Sequence, residues 1–274
     1  MASTRLTAGF PAPLAAFLAE RLRISNKKAK ALLDERRVFV NGRRIWMARH
    51  GLKPGDRVEI QEETEKPPEL SRTALLFESP DYLIANKPPG MLSNGPASME
   101  HKLRMLPGNA ALRAVHRLDR DTSGCLLFAR NDSAEAKIKP LFREHRIRKI
   151  YHAIACGQVR GFNLEITQPI ENRSALTRIR VLRSNKSASH LRVEIPTGRT
   201  HQIRKHLVAI GHPLAGDRHY ATRRTLCPLE LTVRRQMLHA MELSFPHPAT
   251  GRMIQGWAPL PEDFKKCLRL FGLA

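Results

Sequence analysis

Residues 113–130 read RAVHRLDRDTSGCLLFAR. Asp119 stands among His116, Arg117 and Arg120 and is followed by Asp121-Thr122-Ser123-Gly124, the composition of a turn built around charge. Val115 before it and Leu126-Leu127-Phe128 after it are short apolar runs of strand type. A carboxylate among these cations is expected to keep its charge, and a carboxylate presented on a loop between strands can act as a nucleophile.

Working outward, Leu75 to Ala85 reads as two strands around a Ser79-Pro80-Asp81 turn, and Asn86-Lys87-Pro88-Pro89-Gly90 ends them with a rigid loop. Residues 132–146 favour a helix. Strand-like runs follow at Ile150–Ala155, Leu176–Leu182 and Leu191–Ile195, then a helical stretch from His201 to Ile210. No internal repeat is present. The pattern predicts an α+β domain over residues 73–274 with a largely antiparallel mixed sheet.

Residues 11–61 form a separate unit. Leu14, Phe17, Leu18 and Leu22 recur at helical spacing, Ser25 is a good N-cap for a second helix, and Ala29, Leu32 and Leu33 make that helix's apolar stripe. Val38-Phe39-Val40 is a short strand, Asn41-Gly42 a strong two-residue turn signal, and Lys53-Pro54-Gly55-Asp56 a second turn leading into Val58-Glu59-Ile60. Basic residues cluster at the second helix and the first turn, among them Lys27, Lys28, Lys30, Arg36, Arg37, Arg43 and Arg44, which favours an RNA-contacting face. Residues 62–72, with two consecutive prolines and a run of glutamates, read as a linker.

Composition narrows the class of function. The chain has 274 residues, 42% of them apolar, so it can bury a substantial core. Its 47 Lys+Arg against 25 Asp+Glu give a formal charge of +22, which points to a polyanionic partner, with nucleic acid first and an acidic membrane surface a distant second. Cys125, Cys156, Cys227 and Cys267 form no C-x-x-C pair, so reduced thiols in a cytoplasmic protein are expected rather than a zinc site or disulfide framework. No apolar run is long enough for a membrane span, and MASTRLTAGFPAP lacks the apolar core of a secretory signal.

Two further blocks bear on chemistry. Lys149-Ile150-Tyr151-His152-Ala153 puts a ring at the start of a strand in a chain with only 5% aromatics; taken alone, such a tyrosine is more often a core filler. Thr197-Gly198-Arg199-Thr200-His201-Gln202-Ile203-Arg204-Lys205-His206 runs from a glycine turn into a helix of high polar density. Arg204 there can meet a carboxylate, and a bidentate pairing would fix that group's orientation. The plain alternative is a solvated basic helix end. His201, His206, His212 and His219 have spacings that fit no H-x-x-x-H pair, so no metal is expected, and the absence of G-x-x-x-x-G-K and G-x-G-x-x-G disfavours a nucleotide cofactor.

Residues 23–60, RISNKKAKALLDERRVFVNGRRIWMARHGLKPGDRVEI, resemble the S4 family of small RNA-binding domains. That resemblance implies RNA contacts at Ser25, Lys27, Lys28, Lys30 and Arg37, the last standing where the family often has Gly. From about Leu75 to Trp257 the blocks NKPPG, HRLDRDTSG, KIYHAIACG, TGRTHQIRKHLVAIGHPLAGDRHY and LHAMELSFPHPATG resemble, in order, the pseudouridine synthases of the RluA family. The resemblance implies an enzyme that isomerises uridine in structured RNA to pseudouridine without metal, redox cofactor or ATP. It casts Asp119 as the essential aspartate, Tyr151 as the ring that stacks on the target base and Arg204 as the aspartate's partner. Arg117 is implied to enter the RNA stack in place of the flipped nucleotide, and His116 beside it is expected to contact the RNA. An S4 appendage in this family accompanies large-subunit (23S-type) ribosomal RNA modification more often than tRNA modification. Ribosomal RNA is therefore the expected substrate, tRNA the second, and a non-catalytic RNA-binding or ribosome-assembly factor the reading from another class. A monomer is expected.

Overall fold

The computed structural model describes residues 3–34, 38–45, 47–61, 74–217, 219–220 and 233–274, and the chain divides into two compact units, residues 1–69 and 70–274. The first contains β1 (Ser3–Thr7), β2 (Ala12–Pro13), α1 (Leu14–Arg21), α2 (Asn26–Asp34), β3 (Val38–Val40), β4 (Arg43–Arg44), β5 (Gly51–Leu52) and β6 (Arg57–Gln61). Its antiparallel sheet has the order β1-β6-β3-β4. Leu14, Phe17 and Leu18 of α1 and Ala29 and Leu33 of α2 are buried with Val38, Val40, Val58 and Ile60 from the sheet, as the helical and alternating spacings require. Ser25 Oγ accepts from the Lys28 amide at 3.2 Å and caps α2. Asn41 (φ 50°) and Gly42 (φ 75°) are both left-handed, the backbone that a two-residue hairpin turn needs. The expected start at residue 11 is too late for this sheet: β1 pairs with β6 from Ser3↔Gln61 to Thr7↔Arg57, although its short polar run carries little strand signal. Ser25, Lys27, Lys28 and Lys30 are exposed; Arg36, Arg37 and the linker at 62–72 lie outside the described residues.

The second unit contains β7 (Leu75–Glu78), β8 (Tyr82–Lys87), α3 (Met99–Arg104), β9 (Arg113–Ala114), β10 (Ser123–Ala129), α4 (Asp132–Arg143), β11 (Arg148–Cys156), β12 (Asn163–Ile166), β13 (Thr177–Ser184), β14 (Ala188–Glu194), α5 (Gln202–Ala209), β15 (Leu238–Pro246), β16 (Met253–Trp257) and α6 (Glu262–Leu270). One mixed sheet runs β12-β13-β14-β11-β15-β10-β8-β7, with β16 against β15 and β9 against β10. Alternation along the central strands divides the core between its two faces. Leu126 and Phe128 of β10 and Tyr151 and Ala153 of β11 join α3 and α5 on one face. Leu127 of β10 packs with α4 on the other, and Ile154 of β11 packs there with α6. Cys125, Cys156 and Cys267 are buried thiols in these cores, and Cys227 lies outside the described residues. Among the described residues no helix is long and apolar enough to cross a membrane.

Among the described strands, only β10 and β15 pair in parallel, at Ser123↔His239 and Gly124↔Ala240. Parallel strands begin at the same end of a sheet, so the turn that precedes β10 and the Arg235-Gln236 segment that precedes β15 come to one place. Gly124 (φ 110°) permits the approach: a Cβ there would sit 2.2 Å from the Ala240 carbonyl oxygen.

Candidate active site

The charged turn of residues 116–122 is held from several sides. Ser93 Oγ accepts from the Leu118 amide and donates to the Leu118 carbonyl, both at 2.9 Å. Lys87, fully buried, donates to the carbonyls of Pro88 (3.0 Å), Met91 (2.8 Å) and Arg120 (2.8 Å), tying the loop after β8 to the residue that follows Asp119. Burial pushes the Lys87 amine down to about 7. The Thr122 amide closes the turn on the Asp119 carbonyl at 3.0 Å, and Arg235 Nη1 donates to the Asp121 carbonyl at 2.9 Å.

So fixed, Asp119 opens into a cavity of about 250 Å³ lined by His116, Arg117, Lys149, Tyr151, His201 and Arg204 among others. Arg204 Nη1 donates to Asp119 Oδ2 at 3.1 Å, bringing together the two residues that the resemblance paired. The two-pronged pairing, however, goes to a different carboxylate: Arg204 Nε and Nη2 donate to Asp217 Oδ2 (2.6 Å) and Oδ1 (2.8 Å). The side chains of Arg204 and Asp217 are 4% and 1% exposed, that of Asp119 22%. Arg204 is thus locked from behind and offers Nη1 to the carboxylate that faces the cavity. Burial opposes its charge, but Asp217 and Asp119 outweigh that and hold its proton more tightly than usual.

Three groups complete the surround. Gln236 Nε2 donates to Thr122 Oγ1 at 2.9 Å and reaches Asp119 Oδ2 at 3.4 Å. His201, at the start of α5 with the left-handed φ of 55°, places Nε2 3.6 Å from Asp119 Oδ1 and shares a 2.8 Å hydrogen bond with the Tyr220 hydroxyl. The Tyr220 ring lies 4.9 Å from the Arg204 guanidinium carbon, a cation–π contact on a buried charge. Burial holds His201 below the usual histidine range, against the pull of Asp119.

Tyr151 is 6% exposed and lines the cavity, so it is both a core residue and a wall of the site. Burial, with the Asp119 charge adding to it, raises its hydroxyl above the ordinary tyrosine range, so the ring stays neutral. Arg117 is exposed at the rim. His116 differs from the expectation of an RNA contact: its Nε2 accepts from the Leu127 amide at 3.0 Å, and burial, then the charge of Lys149, push it down to about 3. Its ring is a neutral brace for β10. The histidines that follow serve separate purposes, His206 bonding Thr177 Oγ1 (2.8 Å) and the Gln168 carbonyl (2.9 Å), His212 the Cys156 carbonyl (2.9 Å). Ser25, Lys27, Lys28 and Lys30 belong to the first unit. Asp217, His201, Tyr220 and Gln236 were missed as site residues; the Gly216-Asp217 pair was the available signal, since Gly216 (φ 77°) has the Arg235 carbonyl oxygen 2.0 Å from where a Cβ would stand.

The arrangement presents one oriented, solvent-reachable carboxylate, a neutral aromatic wall and a buried arginine pair, in a space on the scale of a single nucleoside. Residues 81–209 match the family model described as RNA pseudouridylate synthase. Curated relatives include the ribosomal large subunit pseudouridine synthase D of Pasteurella multocida, 31% identical with 88% of this chain and 85% of that one aligned. Another is the ribosomal large subunit pseudouridine synthase C of Escherichia coli K12, 34% identical with 87% and 86% aligned. Among solved structures, human RNA pseudouridylate synthase domain containing 4 superposes with a TM-score of 0.61 at 22% identity, over 72% of this chain and 92% of that one. Human RNA pseudouridylate synthase domain containing 1 gives 0.60 at 24%, over 78% and 98%.

Proposed function

This chain belongs to the RNA pseudouridylate synthase family, and from that premise we propose that it converts uridine in large-subunit ribosomal RNA to pseudouridine, with Asp119 as the catalytic carboxylate. The observation that carries the reading is the Asp119–Arg204 pair at 3.1 Å, opening into the cavity that Tyr151 walls. The choice of ribosomal RNA rests on the relatives' names and on the S4-like sequence of the first unit, whose α2 exposes Lys27, Lys28 and Lys30. A chain carrying +22 suits a polyanionic substrate, and the setting is that of a cytoplasmic protein.

The reaction breaks the N1–C1′ bond of uridine, turns the ring and joins C5 to C1′; the C5 proton leaves and N1 gains one, so no redox partner is consumed. A base inside folded RNA must first be extruded, at roughly a few kcal/mol. Tyr151 offsets part of that by stacking on the extruded ring, and Arg117, exposed at the rim, takes the vacated place in the RNA. Asp119 then attacks C1′, attacks C6, or removes a ribose proton to open a glycal route. All three need a carboxylate held rigidly within reach of the sugar and base, which the Arg204–Asp217 lock supplies.

Tritium release from RNA labelled at uracil C5 tests this with large-subunit rRNA and tRNA transcripts side by side. Release from the rRNA, abolished in Asp119→Ala while RNA binding persists, is the expected result. Release from tRNA alone would transfer the substrate assignment, and full activity of Asp119→Asn would defeat the role given to the carboxylate.

A further inference from the structure

Two lysines of the second unit are buried, and they are used differently. Lys87 spends its amine on three backbone carbonyls and is saturated. Lys149 is 8% exposed, and among the described residues its Nζ has one hydrogen bond, a long one of 3.3 Å to the Thr197 carbonyl, and no carboxylate within 4 Å. A buried ammonium without a counter-charge is destabilising, and a methionine would fill the same space more favourably. Two of its three N–H groups remain for something else.

Their direction follows from the strand. Lys149 stands two residues before Tyr151 on β11, and both line the cavity that holds Asp119. Gly198 faces the amine, where even a Cβ would approach Nζ to 3.6 Å. Of the other cations of the cavity, Arg204 is paired with Asp217 and Asp119, Arg199 Nε donates to the Ser174 carbonyl at 3.0 Å from a partly exposed position, and Arg117 stands exposed at the rim. Among the cations that line the cavity, Lys149 is therefore the buried one without a carboxylate partner, beside the ring proposed to stack on the base.

The isomerisation creates a need for it. When N1–C1′ breaks heterolytically the electron pair stays with the ring, and the negative charge spreads from N1 onto the carbonyl oxygens O2 and O4. The donors that contact Asp119, Arg204 Nη1 and Gln236 Nε2, are already turned toward the carboxylate. Resting on the function proposed above, we propose that Lys149 is a catalytic residue whose ammonium hydrogen-bonds a carbonyl oxygen of the detached uracil and holds its negative charge while the ring turns. No proton needs to be transferred: the ammonium keeps its hydrogens, C5 then bonds to C1′, and the C5 proton departs as N1 is protonated. Burial pushes the Lys149 amine down to about 8, so its charge is present at neutral pH and is lost in mild alkali.

The groups that face this amine bear on its titration. From the charged turn come His116 and Asp119; from α5 and its leading turn, Arg199, His201 and Arg204. On its own strand are Arg148 and Tyr151; on the far side a second cavity brings His145 and Arg146, with Glu194 from the end of β14 and Arg178 from β13. His116, His201 and Tyr151 are neutral in the alkaline window.

The test is single-turnover tritium release from C5-labelled large-subunit rRNA transcript across pH 6 to 10, for wild type, Lys149→Met and Lys149→Arg, with RNA binding measured in parallel. Wild type should slow as pH rises through about 8. Lys149→Met should be about 100-fold slower at neutral pH, the scale of one lost charge-stabilising donor, with RNA affinity within about two-fold and without that alkaline fall. Lys149→Arg should recover much of the rate and carry it to higher pH. Ionisation of the RNA's own uracil affects all three alike and cancels in the comparison. A wild-type rate in Lys149→Met, a ratio of wild-type to Lys149→Met rate that does not fall as pH rises through about 8, or a Lys149→Arg as slow as Lys149→Met at every pH would each overturn the assignment. Silence of wild type on this RNA would instead defeat the function it rests on, and the inference with it.

Discussion

Asp217 does for Arg204 what sequence reading had assigned to Asp119. It takes Nε and Nη2 of the guanidinium at 2.6 and 2.8 Å, inside the protein, so that Nη1 meets Asp119, the proposed catalytic carboxylate, at a set angle. Asp217→Asn keeps the shape and removes the charge. We expect it to lower turnover about 100-fold, the usual consequence of about 1 Å of misplacement at a reacting group, and to lower unfolding stability by roughly 3 kcal/mol, because a buried guanidinium loses its main partner. Single-turnover kinetics and urea denaturation of the same protein would check both, and unchanged values would show that Asp119 alone suffices to hold Arg204. The Asp119–Arg204 pair was legible through the family resemblance, which the dense polar motif around each residue carries. Asp217 was not, since a single Asp after a glycine looks like any turn, and its partner is chosen by where α5 lies rather than by neighbours in sequence.

At the level of elements, the strands and helices with strong periodicity were readable: α1, α2, α4, α5 and the runs that became β8, β11, β13 and β14. The two-residue β2, β4, β5 and β9 and the polar β1 carry too few side chains for a pattern, and α3 and α6 went unread although they cover opposite faces of the sheet. Nor does alternation reveal that β11 and β14 bury histidines against each other. His152 Nδ1 and His190 Nε2 share a 2.9 Å hydrogen bond beneath Phe264 of α6, and His239 of β15 bonds Ser123 Oγ at 2.9 Å. Burial above all pushes each of these rings from 6.5 down to about 4. Between those values the unfolded chain binds protons that the folded one refuses, so stability is full above pH 6.5 and falls as pH drops toward 4. The urea midpoint should therefore decrease from pH 7.5 to pH 5, and His152→Gln/His190→Gln should flatten the decrease; a midpoint that does not move over this range would contradict the account.

On the scale of the whole molecule, the two units divide the proposed work. The first offers exposed lysines on α2, the second the cavity that Asp119 faces, and their cores are made of separate residues. Deleting residues 1–61 should leave the second unit folded and make the salt dependence of RNA binding shallower by about 2 in log K against log salt, as three lost phosphate contacts imply; an unchanged slope, measured by titration at several salt concentrations, would remove the first unit from the interface. The division into units was visible in composition, but the order of strands within the large sheet was not, because it depends on pairings that skip most of the chain. The parallel partner that β10 requires, β15, lies 116 residues further on, at Ser123 against His239. Synthesis runs from the amino end, so a ribosome releases the small unit, Asp119 and Tyr151 while Arg235, Gln236 and the strand that seats them are still to be translated. Until then the turn around Asp119 lacks the Arg235 and Gln236 contacts that brace it, so a polypeptide that ends before β15 is expected to be inactive however well its first half has folded.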